Sequence, residues 1–167
     1  GRDDLRAVAL INLAWSHRKL KQYDAARACY EEALELTRKT NDTYTESFCL
    51  SGLGVIYGCN RDYPRVRQLV GRIRQIDPDA LTAVEYRLMA ETFLHEGNID
   101  SARICLHRAE ELAEEINDQA LNKHLVYQIE RATGDYPKAF DAIEEFFGLN
   151  DSITWDMLRQ SSVGIEN

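Results

Sequence analysis

Residues 53–66 read Leu53-Gly54-Val55-Ile56-Tyr57-Gly58-Cys59-Asn60-Arg61-Asp62-Tyr63-Pro64-Arg65-Val66 and hold one complete helix–turn–helix signal. Apolar side chains at three- and four-residue intervals lead into a short polar turn, and a proline follows where a first helical turn needs no N–H. The arrangement returns three times, with Lys21-Gln22-Tyr23-Asp24, Gly97-Asn98-Ile99-Asp100 and Gly134-Asp135-Tyr136-Pro137 in the place of Arg61-Asp62-Tyr63-Pro64. Anchored on these turns, Leu13, Leu53, Met89 and Val126 fall into one column, and Ala14, Gly54, Ala90 and Tyr127 into the next. After the turn, Ala26, Val66, Ala102 and Ala139 align, followed by Tyr30, Val70, Leu106 and Ile143. Successive units are offset by 40, 36 and 37 residues. Recurrence at that period marks a stack of helix pairs that share their cores with neighbours.

The columns have a packing reason. Two helix backbones approach closely only where side chains are small, which places Ala14, Gly54 and Ala90 opposite Ala26, Ala102 and Ala139. Tyr127 and Val66 depart from the pattern and imply local readjustment. Punctuation agrees: Asn41-Asp42, Asn117-Asp118 and Asn150-Asp151 suit the close of one unit and the cap of the next, while Asp77 can cap a helix with Pro78 in its first position. The pattern predicts helices over about 5–20, 23–40, 43–59, 63–76, 79–96, 99–116, 118–133 and 136–147. A ninth helix is expected over about 151–163, with Ile153, Met157 and Leu158 at amphipathic spacing, capping the fourth unit or opening a fifth. The units are therefore expected at about 5–40, 43–76, 79–116 and 118–147, within one domain over 2–167. Gly1 reads as the scar of a cleaved tag on an excised fragment.

These columns, with Leu53-Gly54, Tyr57, Tyr63 and Pro78 in the second unit and Ala26, Tyr30 and Ala33 in the first, resemble the tetratricopeptide repeat over essentially the whole chain. The resemblance implies an all-α, right-handed α-solenoid of four hairpins plus a ninth capping helix. Its first helices would line a concave groove, its second helices would face outward, and its partner would be a protein or peptide. Leu149-Asn150-Asp151-Ser152-Ile153 further resembles the last repeat segment of bacterial regulators, in which such an array precedes a membrane helix and a DNA-binding or histidine-kinase module. That likeness implies a sensing or scaffolding role in signal transduction, in the cytoplasm or periplasm according to the flanking sequence.

If first helices line the groove, helical spacing gives the residues that point into it. The candidates are Asn12, Trp15, Arg18 and Lys19 in the first unit, and Ser51 and Val55 in the second. Arg87 and Glu91 follow in the third, and His124, Gln128 and Arg131 in the fourth. Val8, Ile11, Phe48, Gly52, Cys59, Leu88, His95 and Leu125 share the same face. The set is mixed, with one large aromatic, several amides and guanidinium groups, and little acid. It suits an extended or helical peptide with apolar anchors, while forked Arg donors meet carboxylates or backbone carbonyls. Trp15 is the strongest single binding candidate, because tryptophan is over-represented among interface hot spots. Chaperone-binding members of the resembled family use a clamp of Lys, Asn and Arg, but the matching positions here hold Ile11, Trp15, Gly52, Val84 and Leu88. That ligand is not expected.

Composition narrows the remaining classes. With 28 acidic against 20 basic residues the chain carries a net charge of −8, which repels phosphate backbones and argues against direct nucleic-acid contact. No apolar run has the length of a membrane span. The glycines of Gly52-Leu53-Gly54-Val55-Ile56-Tyr57-Gly58 miss the dinucleotide fingerprint by one residue and lie inside a helical pattern, where close packing explains Gly54. Gly52 and Gly58 are expected to soften that helix. The four histidines lie on different units without metal-ligand spacing, and Cys49 and Cys59 share one helix about 15 Å apart, beyond disulfide reach. Buried thiols acting as small hydrophobes fit better. No nucleophile–base pair stands out, so no catalytic residue, metal or cofactor is assigned. Arg61, Arg65, Arg67, Arg72 and Arg74 form a basic strip, and Glu110, Glu111, Glu114 and Glu115 an acidic one. They are solvated or internally paired faces, or a complementary contact between two copies of a homo-oligomer.

Overall fold

The computed structural model describes residues 1–163, with side chains through residue 154. Eight helices follow in order: α1 (Arg2–Lys19), α2 (Tyr23–Thr40), α3 (Thr43–Cys59), α4 (Tyr63–Ile76), α5 (Ala83–His95), α6 (Ile99–Leu112), α7 (Ile116–Thr133) and α8 (Tyr136–Val163). Consecutive helices pair as hairpins α1–α2, α3–α4, α5–α6 and α7–α8. Each first helix also packs on the second helix before it and on the preceding first helix, giving α1–α3, α3–α5 and α5–α7 contacts. Among the described residues the second helices do not approach one another at backbone contact distance. First helices thus form one layer and second helices splay outside it, which is an α-solenoid.

The small-residue columns lie where the hairpins close. Ala14, Gly54, Ala90, Ala26, Val66, Ala102 and Ala139 are all buried, while the larger Tyr30, Val70 and Leu106 fill the gaps beside them. Gly52 has a sharper constraint than packing of helix on helix. A Cβ there would lie 2.3 Å from the ring of Tyr30, which is itself 3% exposed. Gly52 is therefore a seat for that ring, where the sequence suggested only a soft point in the helix.

All four hairpins turn the same way. One or two residues past each first helix the backbone enters the left-handed region, at Lys21 (φ 58°), Arg61 (φ 57°), Gly97 (φ 75°) and Gly134 (φ 82°). The next N–H then reaches back to the helix: Gln22 to the His17 carbonyl, Asp62 to Tyr57, Asn98 to Phe93 and Asp135 to Glu130, at 2.8–2.9 Å. This is the Schellman closure. The same residues cap the second helices, with Asp62, Asn98 and Asp135 accepting from the N–H of Arg65, Ser101 and Lys138. Gln22 makes no such bond. The first hairpin therefore has both a non-glycine in the left-handed region and a missing cap. Lys21→Gly and Gln22→Asp should each raise stability by about 1 kcal/mol, read as additive gains in thermal melts.

Several boundaries differ from expectation. Helix α5 starts at Ala83 instead of 79, because Thr82 forms a full capping box with Glu85, whose carboxylate accepts from both the Thr82 N–H and its Oγ1. Asp77 instead accepts from the Asp79 N–H in a local turn, and Leu81 is buried. Helix α7 starts at Ile116, ahead of Asn117-Asp118, which leaves Asp118 free to bond Arg87. The ninth helix is not separate: α8 runs through Asn150-Asp151 to Val163 without a left-handed residue or proline to stop it. Ser152 and Thr154 donate back to the Gly148 and Asn150 carbonyls, which absorbs their hydroxyls inside the helix. Met157 and Leu158 lie outside the residues whose side chains are described. No described helix is long and apolar enough to cross a membrane.

The cysteines are free. Cys49 is buried and its thiol is pushed up to about 12 by desolvation. Cys59, expected to be buried, is exposed at the end of α3.

Candidate functional site

A groove of about 790 Å³ runs between α3, α5 and α7. Its walls hold six of the eleven sequence candidates: Val55 from α3, Arg87 and Glu91 from α5, and His124, Gln128 and Arg131 from α7. Stacking of the first helices at near-constant offset brings them together, since each occupies an equivalent turn of its own helix. Cys59, Leu88 and His95 join them from the wider face.

Five candidates fall elsewhere. Ser51 donates to the Glu85 carboxylate and is committed to the α3–α5 interface. Asn12, Trp15, Arg18 and Lys19 belong to α1, outside the groove lining. Trp15 is 51% exposed, with the Lys19 ammonium 5.0 Å from its ring centroid. It is therefore a surface residue of the first hairpin and not part of its core.

Arg61, Tyr63, Leu94 and Leu121 line the groove without having been named among its candidates. Leu121 was within reach of the sequence, because it shares a column with Val8 and Phe48. Arg61 and Tyr63 were not, because they come from a turn and the start of an outer helix, where inner-helix periodicity says nothing.

The electrostatics of the groove differ from the acidic whole. Arg61 on one wall and Arg131 on another make no ion pair among the described residues. Arg131 donates to the Tyr127 hydroxyl at 3.1 Å and lies near its ring. His95 stacks on Tyr63 with centroids 4.6 Å apart, and His124 sits 5.2 Å from Phe146. Arg87 is 6% exposed and donates to Asp118 at 2.9 Å, which anchors it in the floor. Glu91 is the one acid in the lining. Desolvation pushes its carboxyl above the ordinary range, with the Arg87 charge opposing.

That shift has a sign. A carboxyl raised in the folded state favours the protonated form, so its favourable contribution is full below the ordinary carboxylate range and is lost as pH rises through the raised value. Glu91→Gln should therefore be more stable than the parent at neutral pH, with the difference vanishing near pH 4, in urea melts run at both.

The basic strip on α4 is largely absorbed within the chain. Arg65 pairs with Asp62, Arg67 with Glu96, and Arg72 with Glu46. On α6, Arg103 reaches Glu130 of the next helix. On the acidic strip, Glu111 pairs with Arg108.

Among family models, the Tetratricopeptide repeat matches residues 4–79, which span the first two hairpins. No curated protein matches the chain. Repeats of this family mediate protein–protein interaction and scaffolding. That match over α1–α4, with the same left-handed closure and stacking carried through α5–α8, supports a tetratricopeptide repeat fold.

Proposed function

We propose that this chain is a non-catalytic protein-binding module whose groove between α3, α5 and α7 takes an extended peptide carrying both acidic and apolar side chains. The carrying observation is the lining itself: Arg61, Arg131, His95 and His124 surround Leu94 and Leu121 in a chain that is otherwise strongly acidic. Guanidinium groups without a carboxylate partner are ready donors for a ligand's carboxylates and carbonyls, and the leucines offer apolar side chains a contact surface. Trp15 and Lys19 on α1 extend the same face and would meet a longer ligand. The wider role is that of a sensing or scaffolding segment in a larger bacterial regulator. It rests on the likeness of Leu149-Asn150-Asp151-Ser152-Ile153 to such proteins and is tested by whether the full reading frame adds a membrane helix with a DNA-binding or kinase module.

The groove is tested with two labelled peptide pools, one rich in Asp, Glu and Leu and one in which Lys replaces the acids. Fluorescence anisotropy should show binding of the acidic pool only. Arg61→Glu with Arg131→Glu should weaken it at least tenfold and lower its salt dependence. Equal binding of both pools, or no loss in the double variant, would rule the proposal out.

A further inference from the structure

We infer that the chain has a second binding site, separate from the groove, in which the Asn122 carboxamide holds a main-chain amide of a basic peptide segment. A cleft of about 610 Å³ opens between α6, α7 and α8. Helix α7 contributes Gln119, Asn122 and Lys123 to it. At about 100° per residue these lie across the helix from the groove-lining Leu121, His124 and Gln128. The three helices belong to the third and fourth hairpins, so the cleft lies at an internal junction of the stack.

Asn122 is 1% exposed, and neither its Nδ2 nor its Oδ1 has a hydrogen-bond partner among the described residues. A buried amide in that state has given up its bonds to water without replacement, which destabilises the fold. The same column in the two preceding hairpins holds Cys49 and Glu85, and both are settled. Cys49 is a buried thiol acting as a small hydrophobe. Glu85 accepts from the Thr82 N–H, the Thr82 hydroxyl and the Ser51 hydroxyl. Polar neighbours in the cleft bond elsewhere. Gln119 donates to the Ala113 carbonyl at 3.2 Å, Lys123 pairs with Glu145 at 2.6 Å, and Ser152 donates to the Gly148 carbonyl. A carboxamide sets an acceptor beside a donor, the complement of the N–H and C=O of an extended peptide. The long side chains of Gln119, Lys123 and Glu145 line the same cleft, and their rotation gives a strand access to the amide at its floor. Charge sets the kind of strand. Glu110 lines the cleft and makes no ion pair among the described residues, while Glu145 is 54% exposed beside Lys123. Lys or Arg side chains flanking the held amide meet these carboxylates, whereas Arg61 and Arg131 in the groove meet acidic ones.

The test uses the 167-residue chain and a labelled pool of short peptides rich in Lys, Ala and Ser, beside the same pool N-methylated along its main chain. Fluorescence anisotropy should show binding of the first pool, and about tenfold weaker binding of the methylated one, which has lost its N–H donors. In NMR spectra the first pool should move the Asn122 side-chain NH2 resonance and the amides of Gly148 and Leu149. Asn122→Leu keeps the branched shape and removes the unsatisfied atoms, so it should raise Tm by about 3 °C. The same variant should weaken binding of the pool about tenfold. Glu110→Lys should weaken it as well and lower its salt dependence. An Asn122→Leu chain that melts below the parent would mean that the amide is satisfied inside the protein. Equal binding of the pool to that variant, or of the methylated pool to the parent, would mean that charge alone holds the peptide. Any of these results, or no binding by the parent, overturns the inference. Failure of the acidic pool at the groove leaves it standing, because the two sites share no residue.

Discussion

Replacing Asp118 by alanine is expected to lower stability by about 2–4 kcal/mol, because it leaves the buried Arg87 guanidinium without its carboxylate. The pair spans the third and fourth hairpins, with Arg87 Nη1 2.9 Å from Asp118 Oδ1. Arg87 has a side-chain exposure of 8% and Asp118 of 24%, so the charge left behind is the one that water cannot reach. The partial exposure of Asp118 and the nearness of Glu91 hold the loss below that of a fully buried pair. Replacing both partners, Arg87→Met with Asp118→Leu, should recover most of the loss, since the cost lies in the uncompensated charge and not in the missing attraction. Urea melts of the two single variants and the double give the coupling directly. Hydrogen exchange should show the loss concentrated in α5 and α7, because repeat stability is close to a sum of neighbour terms. A double variant as unstable as Asp118→Ala would mean that the pair holds geometry that apolar side chains cannot.

Gly52→Ala is the second large effect and runs against helix propensity. Alanine in a helix interior is ordinarily favoured over glycine by about 1 kcal/mol. Here the new methyl would fall within 2.3–2.7 Å of three ring carbons of Tyr30. The ring is buried in the core cluster, so overpacking at about 1–3 kcal/mol should outweigh the propensity gain and leave a net loss. The control is a change of sign. In a Tyr30→Leu background, where the ring is gone, the same Gly52→Ala substitution should become neutral or stabilising by up to about 1 kcal/mol. A stabilising Gly52→Ala in the parent chain would show that the ring is free to move.

The repeat was legible because one constraint, close approach of paired helices, writes itself as small residues at fixed offsets. Ala14, Gly54, Ala90 and Ala26, Val66, Ala102, Ala139 carried it, and all are buried. Turn positions were equally plain, though not their shared conformation: Lys21 and Arg61 take a left-handed backbone that only Gly97 and Gly134 announce. Caps misled where two candidates competed. Asp77-Pro78 looked like a helix start, but Thr82 with Glu85 satisfies more backbone groups. Asn150-Asp151 looked like a stop, but neither residue breaks a helix by itself, and α8 continued. In the groove, periodicity found residues on the inner helices. It could not find Arg61 and Tyr63, which enter from a turn, nor foresee that Ser51 would be taken by Glu85 across a helix interface. Side-chain partners 34 positions away are set by stacking geometry, which a single helix pattern does not contain.

The most direct measurement is a two-dimensional NMR titration of the isotope-labelled chain with the acidic, leucine-bearing peptide pool. Amide shifts should move at Val55, Glu91, His124, Gln128 and Arg131, on the three helices that line the groove, with α2, α4 and α6 largely unaffected away from the turns. Shifts confined to the outer helices, or none at saturating peptide, would contradict a binding face built by the stacked first helices.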